Sequence, residues 1–139
     1  MTPLFVDTSA FVALANDRDK NHRSATRFLK EVSKQRRPLV TSTYILDELL
    51  TVLRMRADHA TAVKAGEQLA KTRWCRIVDV GDEMRVAAWQ LFVRYDDQLF
   101  SFTDCTSFAL MHVMELVEAF TFDRSDFAAA GFTPLPVAR

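Results

Sequence analysis

The sequence predicts an α/β fold with a parallel sheet, and three observations carry that expectation. Short apolar runs too brief for helices alternate along the chain with longer stretches of helical spacing. Two of those runs end on an acid, Asp7 and Asp123, where strands of an open parallel sheet present their carboxyl ends to ligands. The length, 139 residues, suits a single domain spanning 1–139, able to bury about two-thirds of its unfolded surface without disulfide or metal staples. Alternating strands and helices imply a three-layer α/β/α sandwich with right-handed crossovers.

The first strand is Leu4–Val6, closed by Asp7, with Thr8 and Ser9 offering hydroxyls to cap the helix that follows through Ala10–Asn16. A purely structural reading makes Asp7 no more than a helix cap. A polar break at Asp17–Lys20 precedes an amphipathic helix from His22 to Arg37. Its apolar side is Ala25, Phe28, Leu29 and Val32, and much of the remainder is basic, including Arg23, Arg27, Arg36 and Arg37. Pro38 stops it, Leu39–Thr41 is a strand, and Ser42 and Thr43 can cap a helix over Tyr44–Ala57.

Within that helix Glu48 sits at the edge of the sheet-facing side, beside Tyr44, Ile45 and Val52, whereas Asp47 points away with Arg54. The alternative for Glu48 is a rim carboxylate paired with an arginine. Asp58 caps a helix over His59–Trp74, and Cys75–Val80 is the third strand. Gly81, Asp82 and Glu83 open a helix through Tyr95, where first-turn acids suit the positive end of the dipole. Asp96–Phe102 reads as a loop, and Thr103 and Asp104 begin a helix, so Asp104 is open to a capping role. Ala119–Phe122 is a strand ending at Asp123; Arg124–Ala130 makes a turn of helix, Gly131 closes it, and Phe132–Leu135 is the last strand.

Composition narrows the function. Hydrophobic residues at 49% and charged residues at 26% fit a globular protein, with no run long enough for a membrane span and no signal-peptide pattern at the start. Cys75 and Cys105 are far apart, which argues for core thiols in a reducing cytoplasm and against a zinc site. The net charge is zero, yet residues 1–76 carry +6 and residues 77–139 carry −6. Such a split is what separate basic and acidic surfaces would need, and a basic surface suits a polyanion.

Asp7, Glu48, Asp104 and Asp123 can all face one edge of the sheet. Two like charges about 4 Å apart cost roughly 4 kcal/mol at an effective dielectric near 20, so such a quartet calls for a cation. Oxygen ligands without histidine or cysteine select magnesium or manganese, and such ions can position a water for in-line attack on a phosphodiester. The order LFVDTSA, LDELL, SFTDC and FTFDRSDF followed by AGF resembles the PIN-domain ribonucleases of the VapC toxin type, over Leu4 to Phe132. No one of these motifs is specific; four in this order are.

The resemblance implies a metal-dependent endoribonuclease, a sheet in order 3-2-1-4-5, a homodimer and a VapB-type antitoxin. It makes Asp7, Glu48, Asp104 and Asp123 the catalytic acids, with Asp7, Asp104 and Asp123 on Mg2+ or Mn2+ and Thr8, Ser9 and Thr121 as polar support. Asp126, three residues after Asp123, stands open to sharing its role. RNA is expected on Arg23, Arg27, Arg36 and Arg37. Two rivals are a phosphorylatable receiver domain and a non-cleaving PIN-like module that binds RNA or protein. The receiver would need an acceptor, for which Asp79 is the only candidate, and a later lysine, yet none follows Lys71.

Overall fold

The computed structural model describes residues 1–138. Five strands form one parallel sheet in the order β3-β2-β1-β4-β5, comprising β1 (Leu4–Val6), β2 (Leu39–Ser42), β3 (Cys75–Val78), β4 (Glu118–Phe120) and β5 (Thr133–Leu135). Between them run α1 (Thr8–Ala15), α2 (His22–Lys34), α3 (Thr43–Arg56), α4 (His59–Lys71), α5 (Asp82–Arg94), α6 (Phe102–Val113) and α7 (Arg124–Ala129). The α/β sandwich expected from the sequence and the strand order implied by the resemblance are both present.

The central strand β1 is buried at every position, as a strand covered on both faces must be. Aromatic rings fill one half of the core: Phe108 meets Phe127 edge-on at 5.2 Å and Phe100 at 5.0 Å, and Phe28 meets Phe120 at 4.8 Å. Both cysteines are buried and unpaired, and burial pushes the Cys75 thiol up to about 12 and the Cys105 thiol to about 11.

Several boundaries differ from the sequence reading, each for a local reason. Helix α1 begins at Thr8, so Thr8 and Ser9 lie inside it; Asp7 holds the cap position, but its side chain makes no cap bond. Helix α2 ends at Lys34 because Arg36 turns into the left-handed region at φ 56°, with Arg36 N–H on the Ser33 carbonyl and Arg37 N–H on that of Val32. Those two bonds form a Schellman closure. Helix α4 stops at Lys71 and β3 at Val78, beyond which the Val80 N–H donates to Thr43 Oγ1.

Other expectations hold. Ser42 Oγ accepts from Ile45 N–H at 3.1 Å and caps α3, and Asp58 caps α4 through Thr61 N–H at 2.7 Å. The α6 start shifts to Phe102 because Ser101 is its cap. β4 gives up its ladder after Phe120: Thr121 N–H still bonds Leu135, but the Phe122 and Asp123 N–H groups go to side-chain hydroxyls.

Candidate active site

Because all strands are parallel, their carboxyl ends share one edge, and there β1, β2 and β4 deliver Asp7, Ser42 and Thr121. Asp7 is 2% exposed. The hydroxyls of Ser9 and Thr121 both donate to its Oδ2, each at 2.8 Å. Each hydroxyl has one hydrogen to give and gives it to Asp7, so its lone pairs are open to backbone donors. Phe122 N–H donates to Ser9 Oγ at 2.8 Å and Asp123 N–H to Thr121 Oγ1 at 3.0 Å. The turn after β4 is thus tied through two hydroxyls to the carboxylate after β1. Thr8 takes no part in this net: its hydroxyl is buried and has no hydrogen-bond partner among the described residues.

Asp104 occupies the third helical position of α6 and closes a capping box with Ser101. Its Oδ2 accepts Ser101 N–H at 2.9 Å while Ser101 Oγ accepts Asp104 N–H at 2.9 Å. Asp123 precedes α7 without capping it. Glu48 is half-buried on α3 and forms no ion pair among the described residues, which sets aside the arginine-paired alternative.

The acids raise one another's affinity for protons. Burial, then the Asp123 charge and at longer range that of Asp104, lifts Asp7 to about 7 against the pull of the Ser9 and Thr121 hydroxyls. Loss of surrounding water, opposed by the bonds to Ser101, leaves Asp104 at about 6, with Asp126 and Glu48 adding repulsion. Asp123, although solvent reaches much of it, is raised by the protein around it and then by Asp126 and Glu48, while Arg56 and the neighbouring Asp7 carboxyl oppose the rise. A proton shared between Asp7 and Asp123 is one way to quench this field; a cation is another.

Asp7, Glu48, Asp104 and Asp123 therefore act on one another at a single edge, and Asp126 joins them as a fifth acid. In the side-chain positions present, no three His, Cys, Asp or Glu groups among the described residues close around one point. Asp7 is turned to its hydroxyls and Asp104 to Ser101. The donor chemistry still fits a hard divalent ion: oxygen only, with Asp7 Oδ1 outside the bonds that hold Oδ2. Two of the three histidines are engaged elsewhere, with His22 Nδ1 2.7 Å from the Ala13 carbonyl and His112 packed on Phe132.

The expected RNA-binding arginines divide into two groups. Arg37 pairs with Glu118 at 2.8 Å and donates to the Thr2 carbonyl, beside the amino ends of the strands. Arg36 occupies the turn next to it, so this pair lies across the sheet from Asp7. Arg23 and Arg27, exposed on α2, line a cleft shared with Phe122 and Arg124, the two neighbours of Asp123.

Sequence reasoning missed Ser101 as the partner of Asp104 and the full weight of Asp126. Both left a signal: Ser101-x-x-Asp104 has capping-box spacing, and Asp123-x-x-Asp126 is one helical turn.

Comparison with known proteins identifies the family. The PIN domain family matches residues 4–132. The curated 23S rRNA-specific endonuclease VapC20 of Mycobacterium tuberculosis is 38% identical over 130 residues, covering 93% of this chain and 95% of that protein. The crystal structure of M. tuberculosis VapC20, described as a sarcin–ricin loop cleaving toxin, superposes with a TM-score of 0.84 at 36% identity over 94% of this chain and 96% of that one. VapBC2 from Rickettsia felis, bound to a DNA fragment from its promoter, shares the fold, with a TM-score of 0.74 at 11% identity over 99% and 100% of the two chains.

Proposed function

The chain belongs to the PIN-domain family, and from that premise we propose that it is a magnesium- or manganese-dependent endoribonuclease acting as the toxin of a toxin–antitoxin pair. The observation that carries this reading is Asp7: a carboxylate withdrawn from water, held by two hydroxyls and repelled by Asp123 and Asp104, which Glu48 and Asp126 repel in turn at the carboxyl edge of the sheet. Burying that much like charge is costly unless a cation is its usual companion.

In this proposal Asp7, Asp104 and Asp123 hold the ion, with Asp126 sharing or replacing one of them. The bound ion would neutralise the substrate phosphate and orient a water for in-line attack. Ser9 and Thr121 fix the Asp7 carboxylate so that Oδ1 is presented to the edge, and Ser101 fixes Asp104. Glu48, outside both hydrogen-bond nets, is the carboxylate proposed to take a proton from the attacking water. Asp104 would hold the ion with the oxygen that Ser101 leaves free, or on release from Ser101.

Ribosomal RNA is the substrate class to try first, given the activity ascribed to VapC20. A VapB-type antitoxin is the proposed partner, inhibiting by carrying a lysine or arginine into the acidic edge. A cytoplasmic homodimer completes the proposal; no helix among the described residues is long and apolar enough to cross a membrane.

The test is cleavage of purified ribosomes and total RNA. Cutting should cease in EDTA, return with magnesium or manganese, leave 5′-phosphate ends and disappear in Asp7→Asn. A 2′,3′-cyclic phosphate product, or full activity in Asp7→Asn, would overturn the mechanism. RNA binding without any cutting would favour the non-cleaving module.

A further inference from the structure

We infer that the cleft between α2 and the turn after β4 is the track for one arm of a single-stranded RNA substrate, leading it past Phe122 into the acidic edge. The inference rests on the ribonuclease reading and adds to it where the strand lies and which side chains hold it. The cleft encloses about 720 Å3 and is lined by Lys20, Arg23 and Arg27 on one wall and by Phe122 and Arg124 on the other. Glu31 is the one acid among its described lining residues. In a chain of zero net charge, four cations gathered against one acid form a local field of the sign a phosphate chain requires.

Its position connects it to the chemistry. Phe122 and Arg124 flank Asp123 in sequence, and the Phe122 N–H is bonded to Ser9 Oγ, the hydroxyl that also holds Asp7. Whatever lies on Phe122 is therefore one residue from the acids. Arg23 and Arg27 are exposed and four residues apart on α2, a rise of about 6 Å along the helix, close to the spacing of successive phosphates in an extended strand. Arg124 is anchored opposite them by a bond to the Pro136 carbonyl. Phe122 is half-buried against Phe120, with ring centroids 6.1 Å apart, which leaves part of its ring for a base to stack on. Cations alternating with an aromatic face suit a single strand better than a duplex, whose bases are turned inward.

Binding measured in EDTA separates this proposal from the catalytic one, since a strand can be held without being cut. A fluorescent ten-nucleotide single-stranded RNA is titrated against wild type, Arg23→Ala/Arg27→Ala, Phe122→Leu and, as a single-charge control at the far end of α2, Lys34→Ala. The double variant should bind at least tenfold more weakly, with the slope of log K against log salt shallower by about 1.4, the value for two lost phosphate contacts on a single strand. Phe122→Leu should weaken binding severalfold with no change in slope, and Lys34→Ala should change neither. Unaltered binding in the double variant, or an equal loss in Lys34→Ala, would overturn the track. So would a poly-glutamate peptide that competes as well as RNA of the same charge, because the cleft would then be a seat for an acidic protein segment. Absence of cleavage in magnesium alongside the expected binding pattern would refute the ribonuclease reading and leave the track standing.

Discussion

Asp7 shows at the scale of one residue why an acidic edge makes this protein sensitive to pH. Its carboxyl is raised from 3.8 to about 7 by burial and by Asp123. Below pH 4 folded and unfolded chains both keep the proton. Between pH 4 and 7 only the folded chain keeps it, so stability falls as pH rises through this window and levels off above it, by an amount on the order of 4 kcal/mol. Asp104, raised to about 6, acts in the same direction. Melting of metal-free protein in EDTA should therefore occur at progressively lower temperature from pH 5 to pH 8. Asp7→Asn retains an oxygen for Ser9 and Thr121 but carries no charge; it should flatten that decline and melt several degrees above wild type at pH 8. An equal decline in the variant would show that Asp7 is not the titrating group. Magnesium must displace the same protons, so its apparent affinity should increase over the same window. The four acids were legible from their places after strands and at helix starts. Asp126 was legible only as an alternative to Asp123, and Ser101 not at all, because their importance lies in spatial proximity and in a hydrogen bond that spacing alone only permits.

Among the elements, three helices close onto strands with the same motif. Arg36, Glu115 and Gly131 take φ of 56°, 56° and 95°, and in each case the residue itself and its successor bond back to the helix just ended. Only Gly131 announces this in sequence; Arg36 carries no such signal, so helical spacing alone extends α2 to Arg37. Strand positions were clearer, since Leu4–Val6 and Leu39–Ser42 are apolar or small runs too short for any other element. Their ends were blurred wherever a hydroxyl, as in Thr43 or Thr121, replaced a ladder partner. A Cβ added at Gly131 meets nothing within 4 Å, so a substitution there isolates the backbone cost. Gly131→Ala should destabilise by about 1 kcal/mol or more, roughly 3 °C in melting temperature. Glu115→Gly should leave the melting temperature unchanged or higher, because strain is relieved while chain entropy is spent. Calorimetry of both variants decides it; a neutral Gly131→Ala would mean the left-handed turn can relax.

At the scale of the whole molecule, α5 is the element that one chain leaves unfinished. Its apolar residues are not confined to the inner face: Ala88 is buried and Met84, Ala87 and Leu91 pack on the core, yet Val86, Trp89, Phe92 and Val93 are 58%, 57%, 41% and 59% exposed. Large apolar side chains gathered on an exposed helix face mark an interaction surface. Trp89 stacks on Phe92 at 5.9 Å, and Phe92 meets Phe102 at 6.0 Å, so the exposed stripe continues to the first turn of α6, two residues from Asp104. The partner we propose for this stripe is a second copy, in keeping with the homodimer that the family resemblance implies. An isologous contact centred on α5 would need to bury about 800 Å2 from each chain to be stable. It would also hold α6, and with it Asp104, from outside the monomer's own core. Sedimentation at micromolar concentration should show a dimer for wild type and a monomer for Trp89→Glu. Because Trp89 is mostly in water in the single chain, the variant should keep a folded circular dichroism spectrum. It should also lose cleavage more than RNA binding, since the cation-lined cleft lies on α2. A wild-type monomer, or a Trp89→Glu protein that still sediments as a dimer, would show that α5 is not the contact.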